Sequence, residues 1–236
     1  MRGNVSGEDH AQRNRRYGAL KRHPAKYSDS IIPVLARELD GCKRVYDPFA
    51  GTGKIANIMD HGFDGEIYCC EIEPEWAHID RRITAWFICD AEHTSFIQDE
   101  FFDAICTSPT YGNRMADHFE ARDGSRRITY RHYLERPLHP ENTGRMQWGK
   151  RYREKHEAVY AELYRVLKPG GLFVLNVSDH IRGGKIVRVS DWHLETLKAL
   201  GFSLIRSHAV ETPRMRMGAN HDLRVPHENV YTLQKP

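Results

Sequence analysis

The sequence predicts a single α/β domain with a largely parallel sheet and helices on both faces. Three observations carry that expectation. At 236 residues, 40% hydrophobic and 28% charged, the chain has the length and composition of one well-buried globular domain. Short apolar runs alternate with helical stretches along most of it, the pattern of strand-helix-strand units. The first apolar run also ends in a glycine-rich turn that opens a helix, the corner at which open α/β sheets bind ligands.

Each element follows from local pattern. "RVYDPF" (44–49) reads as the first strand, and "GKIANIMDHGF" (53–63) as a helix closed by Gly62. "GEIYCCEIE" (65–73) is the second strand, and "PEWAHIDRRI" (74–83) begins a helix with Pro74 in its first turn, where a missing N–H costs nothing. "AWFICDAE" (85–92) and "FFDAICTSP" (101–109) are strands three and four. The stretch 150–171, "KRYREKHEAVYAELYRVLKPGG", reads as a long amphipathic helix with Val159, Leu163 and Leu167 on one face, stopped at Pro169-Gly170-Gly171. "LFVLNVSD" (172–179) is the fifth strand, "SDWHLETLKALG" (190–201) a helix with Ser190 as N-cap, and "FSLIRSHAV" and "NVYTLQ" are two closing strands. That makes seven strands.

No run of eighteen apolar residues is present, and the amino terminus has no apolar stretch behind its charges, so neither a membrane span nor a secretory signal is expected and the protein reads as cytoplasmic. The five cysteines show no C-x-x-C spacing, and Cys69, Cys70, Cys89 and Cys106 fall in apolar runs. They read as reduced core thiols, with no metal site.

"VYDPFAGTGKI" resembles a phosphate loop only superficially. A triphosphate site needs G-x-x-x-x-G-K-[ST], and here Pro48 stands at the first glycine position and Ile55 at the hydroxyl position. What remains is a strand ending in Asp47, two glycines (Gly51, Gly53) that let a ligand lie against bare backbone, and a helix start. Glu71 ends the second strand, where it would accept from ribose hydroxyls, and Asp90 ends the third, where it would accept from an adenine amine. Three acids at consecutive strand ends make a nucleoside cradle without an obvious phosphate site. That pattern points to S-adenosylmethionine as cofactor.

The fourth strand runs into "TSPTYGNR" (107–114). With this stretch the chain resembles the S-adenosylmethionine-dependent amino-methyltransferases that modify N4 of cytosine or N6 of adenine in DNA, whose signatures are D-P-F-x-G-x-G and [DNS]-P-P-[YFW]. Residues 47–53 match the first in full, including Phe49, and residues 108–111 match the second at Ser108, Pro109 and Tyr111, with Thr110 in place of the second proline. "VLKPGG" before the fifth strand and "HPAKYSDSIIPVL" (23–35), a cofactor-flanking helix, extend the likeness over roughly residues 23–112 and 150–235. The resemblance implies a class I (Rossmann-like) methyltransferase fold with a seven-stranded, mostly parallel sheet. It further implies that Ser108 Oγ and the Pro109 carbonyl accept the two hydrogens of the target amine, while Tyr111 stacks on a base flipped out of the duplex. The serine at the head of the target motif favours cytosine slightly over adenine.

Charge patterning supplies the partner. The chain is only +3 overall, yet residues 1–26 and 112–153 each carry +5, leaving an acidic remainder. Residues 1–22 read as a basic, flexible arm ahead of a domain spanning 23–236. Within that domain, 112–149 reads as a target-recognition insert in which Arg114, Arg126, Arg127, Arg131, Arg136 and Arg145 interleave with Tyr130, Tyr133 and Trp148. DNA is the expected partner, RNA the runner-up, and a non-catalytic cofactor-binding protein the reading from another class. His180 reads as loop structure beside the site rather than a catalytic base.

Overall fold

The structure, a computed structural model, describes residues 27–112, 133–212 and 225–236. Arg114, Arg126, Arg127, Arg131 and the arm at 1–22 lie outside the described residues.

Seven strands form one sheet: β1 (Arg44–Asp47), β2 (Glu66–Cys70), β3 (Ala85–Phe87), β4 (Phe102–Thr107), β5 (Leu167–Val177), β8 (Ser203–Glu211) and β9 (His227–Gln234). Their order is β3-β2-β1-β4-β5-β9-β8; the first five run parallel, β9 is antiparallel to β5, and β8, antiparallel to β9, runs in the direction of the first five. The chain leaves β1 for β2 on one side and returns to β4 on the other, so the strand order reverses between β1 and β4. In open α/β sheets that reversal opens a crevice at the carboxyl ends of the strands. A small hairpin, β6 (His180–Arg182) with β7 (Lys185–Val187), stands apart from the sheet.

Alternation along each strand divides the core. Val45, Ile67, Cys69, Ala104 and Cys106 face helix α1 (Ile32–Glu38) and the 3-10 helix Lys54–His61, while Tyr46, Cys70, Ile105 and Phe173 face helices α2 (Lys150–Val166) and α3 (Val189–Ala199). Helices on both faces require strands buried on both faces, which is why β1 and β4 read as nearly continuous apolar runs. Glu38, buried at the end of α1, ties that helix to the antiparallel edge by accepting from Arg206 Nε at 2.5 Å, Thr232 Oγ1 at 2.7 Å and His208 Nε2 at 2.9 Å. The five cysteines are free thiols, four of them buried and Cys89 half-buried.

Four local expectations change. The stretch after Pro74 forms turns instead of a helix: His78 sits at φ 64°, and the Asp80 carboxylate accepts from the Arg82 N–H at 3.0 Å, a local side-chain bond that competes with helix formation. The stretch after Gly53 coils as a 3-10 helix, though Gly62 closes it in the left-handed region as anticipated. Pro169-Gly170-Gly171 does not separate α2 from the next strand; β5 starts at Leu167, with Gly170 N–H donating to Lys235 O at 2.9 Å. Ser190 lies inside α3, and the Asp179 carboxylate caps that helix by accepting from Ser190 N–H at 2.9 Å.

Candidate functional site

The carboxyl end of β1 delivers Asp47 into the crevice, fully buried. Its Oδ1 accepts from Phe49 N–H at 3.0 Å and from Thr107 Oγ1 at 2.8 Å, and its Oδ2 from Tyr27 OH at 3.2 Å. Burial pushes this carboxyl up to about 6 against those three hydrogen bonds, which lower it. Because Thr107 immediately precedes Ser108, the Asp47–Thr107 bond joins the two motifs at the end of adjacent parallel strands.

Gly51 and Gly53 turn the chain away from β1 at φ 55° and 78°, in the left-handed region. A Cβ on Gly53 would come within 2.9 Å of the Trp86 ring, so the turn admits nothing larger there. The Gly51 N–H donates to Glu71 Oε2 at 2.8 Å, and Glu73 N–H donates to Glu71 Oε1 at 2.8 Å. Glu71 is pushed up to about 8, first by burial and further by the Glu73 charge, opposed by those two backbone donors. A buried carboxylate beside a bare glycine backbone suits a ligand that brings hydroxyl donors and no negative charge.

The sequence places Asp90 at the end of the third strand, but that strand stops at Phe87; Asp90 lies three residues beyond it, half-buried, with its Oδ2 held by Lys155 Nζ at 2.5 Å. The same ammonium reaches Glu92 at 2.5 Å. Asp90 therefore has one oxygen committed to an ion pair, while its Oδ1 accepts from Glu92 N–H at 3.2 Å. Lys54, the lysine of the phosphate-loop look-alike, pairs with Asp29 at 2.6 Å.

At the end of β4, Ser108 Oγ lies 3.2 Å from Tyr111 OH, and Asn176 Nδ2 at the end of β5 donates to Ser108 Oγ at 3.3 Å. Glu228 at the start of β9 receives Tyr111 OH at 3.3 Å and Asn176 Nδ2 at 2.8 Å on the same oxygen, Oε2. The His180 ring bonds to the Tyr111 backbone, and burial lowers its pKa, so it braces the loop largely as a neutral ring.

Helix α2 carries a second connection between the motifs. Phe49 packs 5.5 Å from His156, whose ring lies 4.1 Å from Tyr152, and the Tyr152 hydroxyl donates to the Thr110 carbonyl. Tyr152 OH is also 2.8 Å from His193 Nε2, and Tyr160 OH is 2.6 Å from His193 Nδ1. Since Tyr152 has spent its proton on Thr110, His193 must carry hydrogen on Nε2 and accept at Nδ1 from Tyr160. Burial drives His193 well below the ordinary histidine value and His156 down to about 4, so both are neutral. Sequence pattern does not mark Asn176 and Glu228, which bond to Ser108 and Tyr111, or Tyr152 and the His193 behind it, as supports of this loop. The spacing of Tyr152, His156 and Tyr160 at every fourth residue is the signal that could have marked that helix face.

The described part of the insert is fastened to the cofactor side. Arg136 meets Glu75 at 2.5 Å and Glu73 at 2.7 Å, and Glu73 Oε1 accepts from His139 N–H at 2.8 Å and Asn142 Nδ2 at 2.9 Å. Leu134 and Leu138 pack on Trp76. Arg145 is exposed, with Nη1 3.3 Å from the Leu138 carbonyl. Trp148 N–H donates to Gly112 O at 2.7 Å, closing the insert onto the target loop. No group of three or more metal-ligating side chains occurs among the described residues, and no helix described is long and apolar enough to cross a membrane.

No protein-family model matches the chain, and no curated protein matches it. Many solved structures do. Among them is the 1,6-didemethyltoxoflavin-N1-methyltransferase of Burkholderia thailandensis with bound 1,6-didemethyltoxoflavin and S-adenosylhomocysteine (16% identity, covering 100% of this chain and 92% of that one, TM-score 0.52). A SAM-dependent methyltransferase from Methanosarcina mazei matches at 13% identity over 86% of this chain and 97% of that one, with TM-score 0.52. The cyclase SpnF matches at 17% identity over 88% and 81%, with TM-score 0.53. At such identities the likeness is one of fold: the chain has the Rossmann-like class I methyltransferase fold.

Proposed function

We propose that the protein transfers a methyl group from S-adenosylmethionine to an exocyclic amino group of a base in DNA, with N4 of cytosine slightly ahead of N6 of adenine. The observation that carries the reading is the Asp47–Thr107 hydrogen bond, which holds the first residue of D-P-F-A-G-T-G against the residue that precedes S-P-T-Y, at the sheet's switch point. The cofactor side fits the reading too: Gly51 and Gly53 leave backbone bare, and Glu71 is a buried acceptor for ribose hydroxyls. The Burkholderia neighbour with bound S-adenosylhomocysteine lends support at the level of fold.

The bound cofactor supplies an electrophilic methyl on a sulfonium. The protein's task is to make an aromatic amine nucleophilic, since its lone pair is delocalised into the ring. Ser108 Oγ and the Pro109 carbonyl, accepting the two amino hydrogens, hold the nitrogen pyramidal with its lone pair free. Tyr111 stacks on the extruded base and recovers about 1–3 kcal/mol of lost stacking. Alignment of amine and methyl is the main rate term, worth up to about 7–11 kcal/mol. No general base is needed, because the methylated ammonium is acidic.

Incubation with methyl-labelled S-adenosylmethionine and either DNA or RNA, followed by nucleoside analysis, tests the assignment. Label in N4-methylcytosine or N6-methyladenine of DNA is expected. Label in RNA alone would overturn the DNA reading, and cofactor binding without any transfer would overturn the enzymatic one.

A further inference from the structure

We propose that Glu228 is a positioning residue that fixes the hydrogen-bond polarity of Ser108, and hence its ability to accept from a target amine. The inference rests on the methyltransferase reading above and goes beyond its motifs, since Glu228 lies 120 residues from Ser108 on the antiparallel strand β9.

Proton counting in the cluster carries the argument. Glu228 is 7% exposed and Asn176 is 1% exposed, so their hydrogen bonds are made inside the protein. Tyr111 donates its hydroxyl proton to Glu228 Oε2. The two hydrogens of Asn176 Nδ2 go to Glu228 Oε2 and Ser108 Oγ. The remaining proton in the ring of contacts is that of Ser108, which passes to Tyr111 OH at 3.2 Å. A carboxylate at the end of this relay can only accept, so every hydroxyl upstream points toward it. Ser108, with one lone pair taken by Asn176, is left presenting its other lone pair to the site.

A second observation points to a donor-bearing ligand at this spot. Asn176 Oδ1 is buried and has no hydrogen-bond partner among the described residues. A buried acceptor without a donor is costly and is satisfied when a ligand supplies an N–H. An apolar side chain in place of Glu228 removes that acceptor, so the Tyr111 hydroxyl turns its proton toward Ser108 and frees the serine proton to bond the amine's lone pair, the electrons needed for attack; an amide, which can set its oxygen where Oε2 sits, keeps the acceptor.

The test compares wild type, Glu228→Leu, Glu228→Gln, Tyr111→Phe and Glu228→Leu combined with Tyr111→Phe, by single-turnover methyl transfer and by cofactor binding. The expected result is a fall in the transfer rate of about tenfold to hundredfold for Glu228→Leu, with cofactor affinity unchanged and most of the rate retained in Glu228→Gln, whose amide oxygen takes the place of Oε2. In the Tyr111→Phe background, where the relay is already cut, the Glu228→Leu exchange should cost less than about threefold. A Glu228→Leu enzyme as fast as an active wild type overturns the proposal while leaving the transferase reading intact, as does a loss of cofactor affinity parallel to the loss of rate. A wild type that methylates no base amine overturns the reading and the proposal with it.

Discussion

Glu71 and Asp47 are carboxyls held in a crevice that disfavours their charge, and the cofactor's donors act on that imbalance. Glu71 titrates near 8 before binding, so at pH 7 it is largely protonated. In the proposed site ribose hydroxyls donate to the ionised form, so binding is expected to expel a proton. Affinity should rise with pH up to about 8 and level off above it, and calorimetry at pH 7 in two buffers of different ionisation enthalpy should register net proton release. Without the cofactor the same raised values weigh on stability: both groups bind protons more tightly folded than unfolded, so their contribution is complete below about pH 4 and is lost as pH rises through about 6 for Asp47 and about 8 for Glu71. Substitutions separate the two halves of the site. Ser108→Ala and Tyr111→Ala should abolish transfer with cofactor affinity nearly intact, whereas Glu71→Ala should weaken cofactor binding by about tenfold to hundredfold, measured by equilibrium titration. The reverse pattern would mean that the two strand ends have exchanged roles.

The target loop is set by what presses on it from behind. Tyr152 holds the Thr110 carbonyl, His180 braces the Tyr111 backbone, and Trp148 clamps Gly112, which sits at φ 66°. A Cβ on Gly112 would meet the Trp148 amide nitrogen at 2.9 Å, so Gly112→Ala must displace either the loop or the insert. It should lower the methyl-transfer rate by at least about tenfold while shifting the melting temperature by only a few degrees, since the left-handed strain itself costs about 1–2 kcal/mol. The strand-turn-helix around Asp47, Gly51 and Gly53 was legible in the sequence because every residue of it is local. The fifth strand, which carries Asn176, was legible for the same reason. The partner of Asn176, Glu228, was not legible, because it arrives on a returning antiparallel strand 52 residues later, and neither was the role of Tyr152 and His156, polar side chains on the buried side of what reads as an amphipathic helix. The turns after Pro74 were missed because Asp80 and Arg82 bond locally where periodicity suggests a helix.

Across the whole molecule, the switch between β1 and β4 brings cofactor and target motifs to one edge, and the insert spans both. Its base is tied to Glu73, whose N–H in turn holds Glu71, while its far end closes on Gly112. The number of strands and their largely parallel run could be read from the alternation of strands and helices, but the fastening of the insert depends on ion pairs between segments about sixty residues apart. Arg145, exposed on that insert, is a phosphate contact in this account. Arg145→Ala should weaken DNA binding several-fold irrespective of sequence and reduce the salt slope of the binding constant by about 1, as measured by anisotropy over a salt series.

The central claim is that one crevice holds the methyl donor at the end of β1 and the acceptor amine at the end of β4. A crystal structure with S-adenosylhomocysteine and a duplex oligonucleotide measures this directly. The account predicts the ribose on Glu71, a flipped base on Tyr111, its amine bonded to Ser108 and Pro109, and the cofactor sulfur facing that amine across the span of a single methyl group. A cofactor seated away from Gly51, or a base that stays stacked while Tyr111 lines a separate cavity, would contradict it.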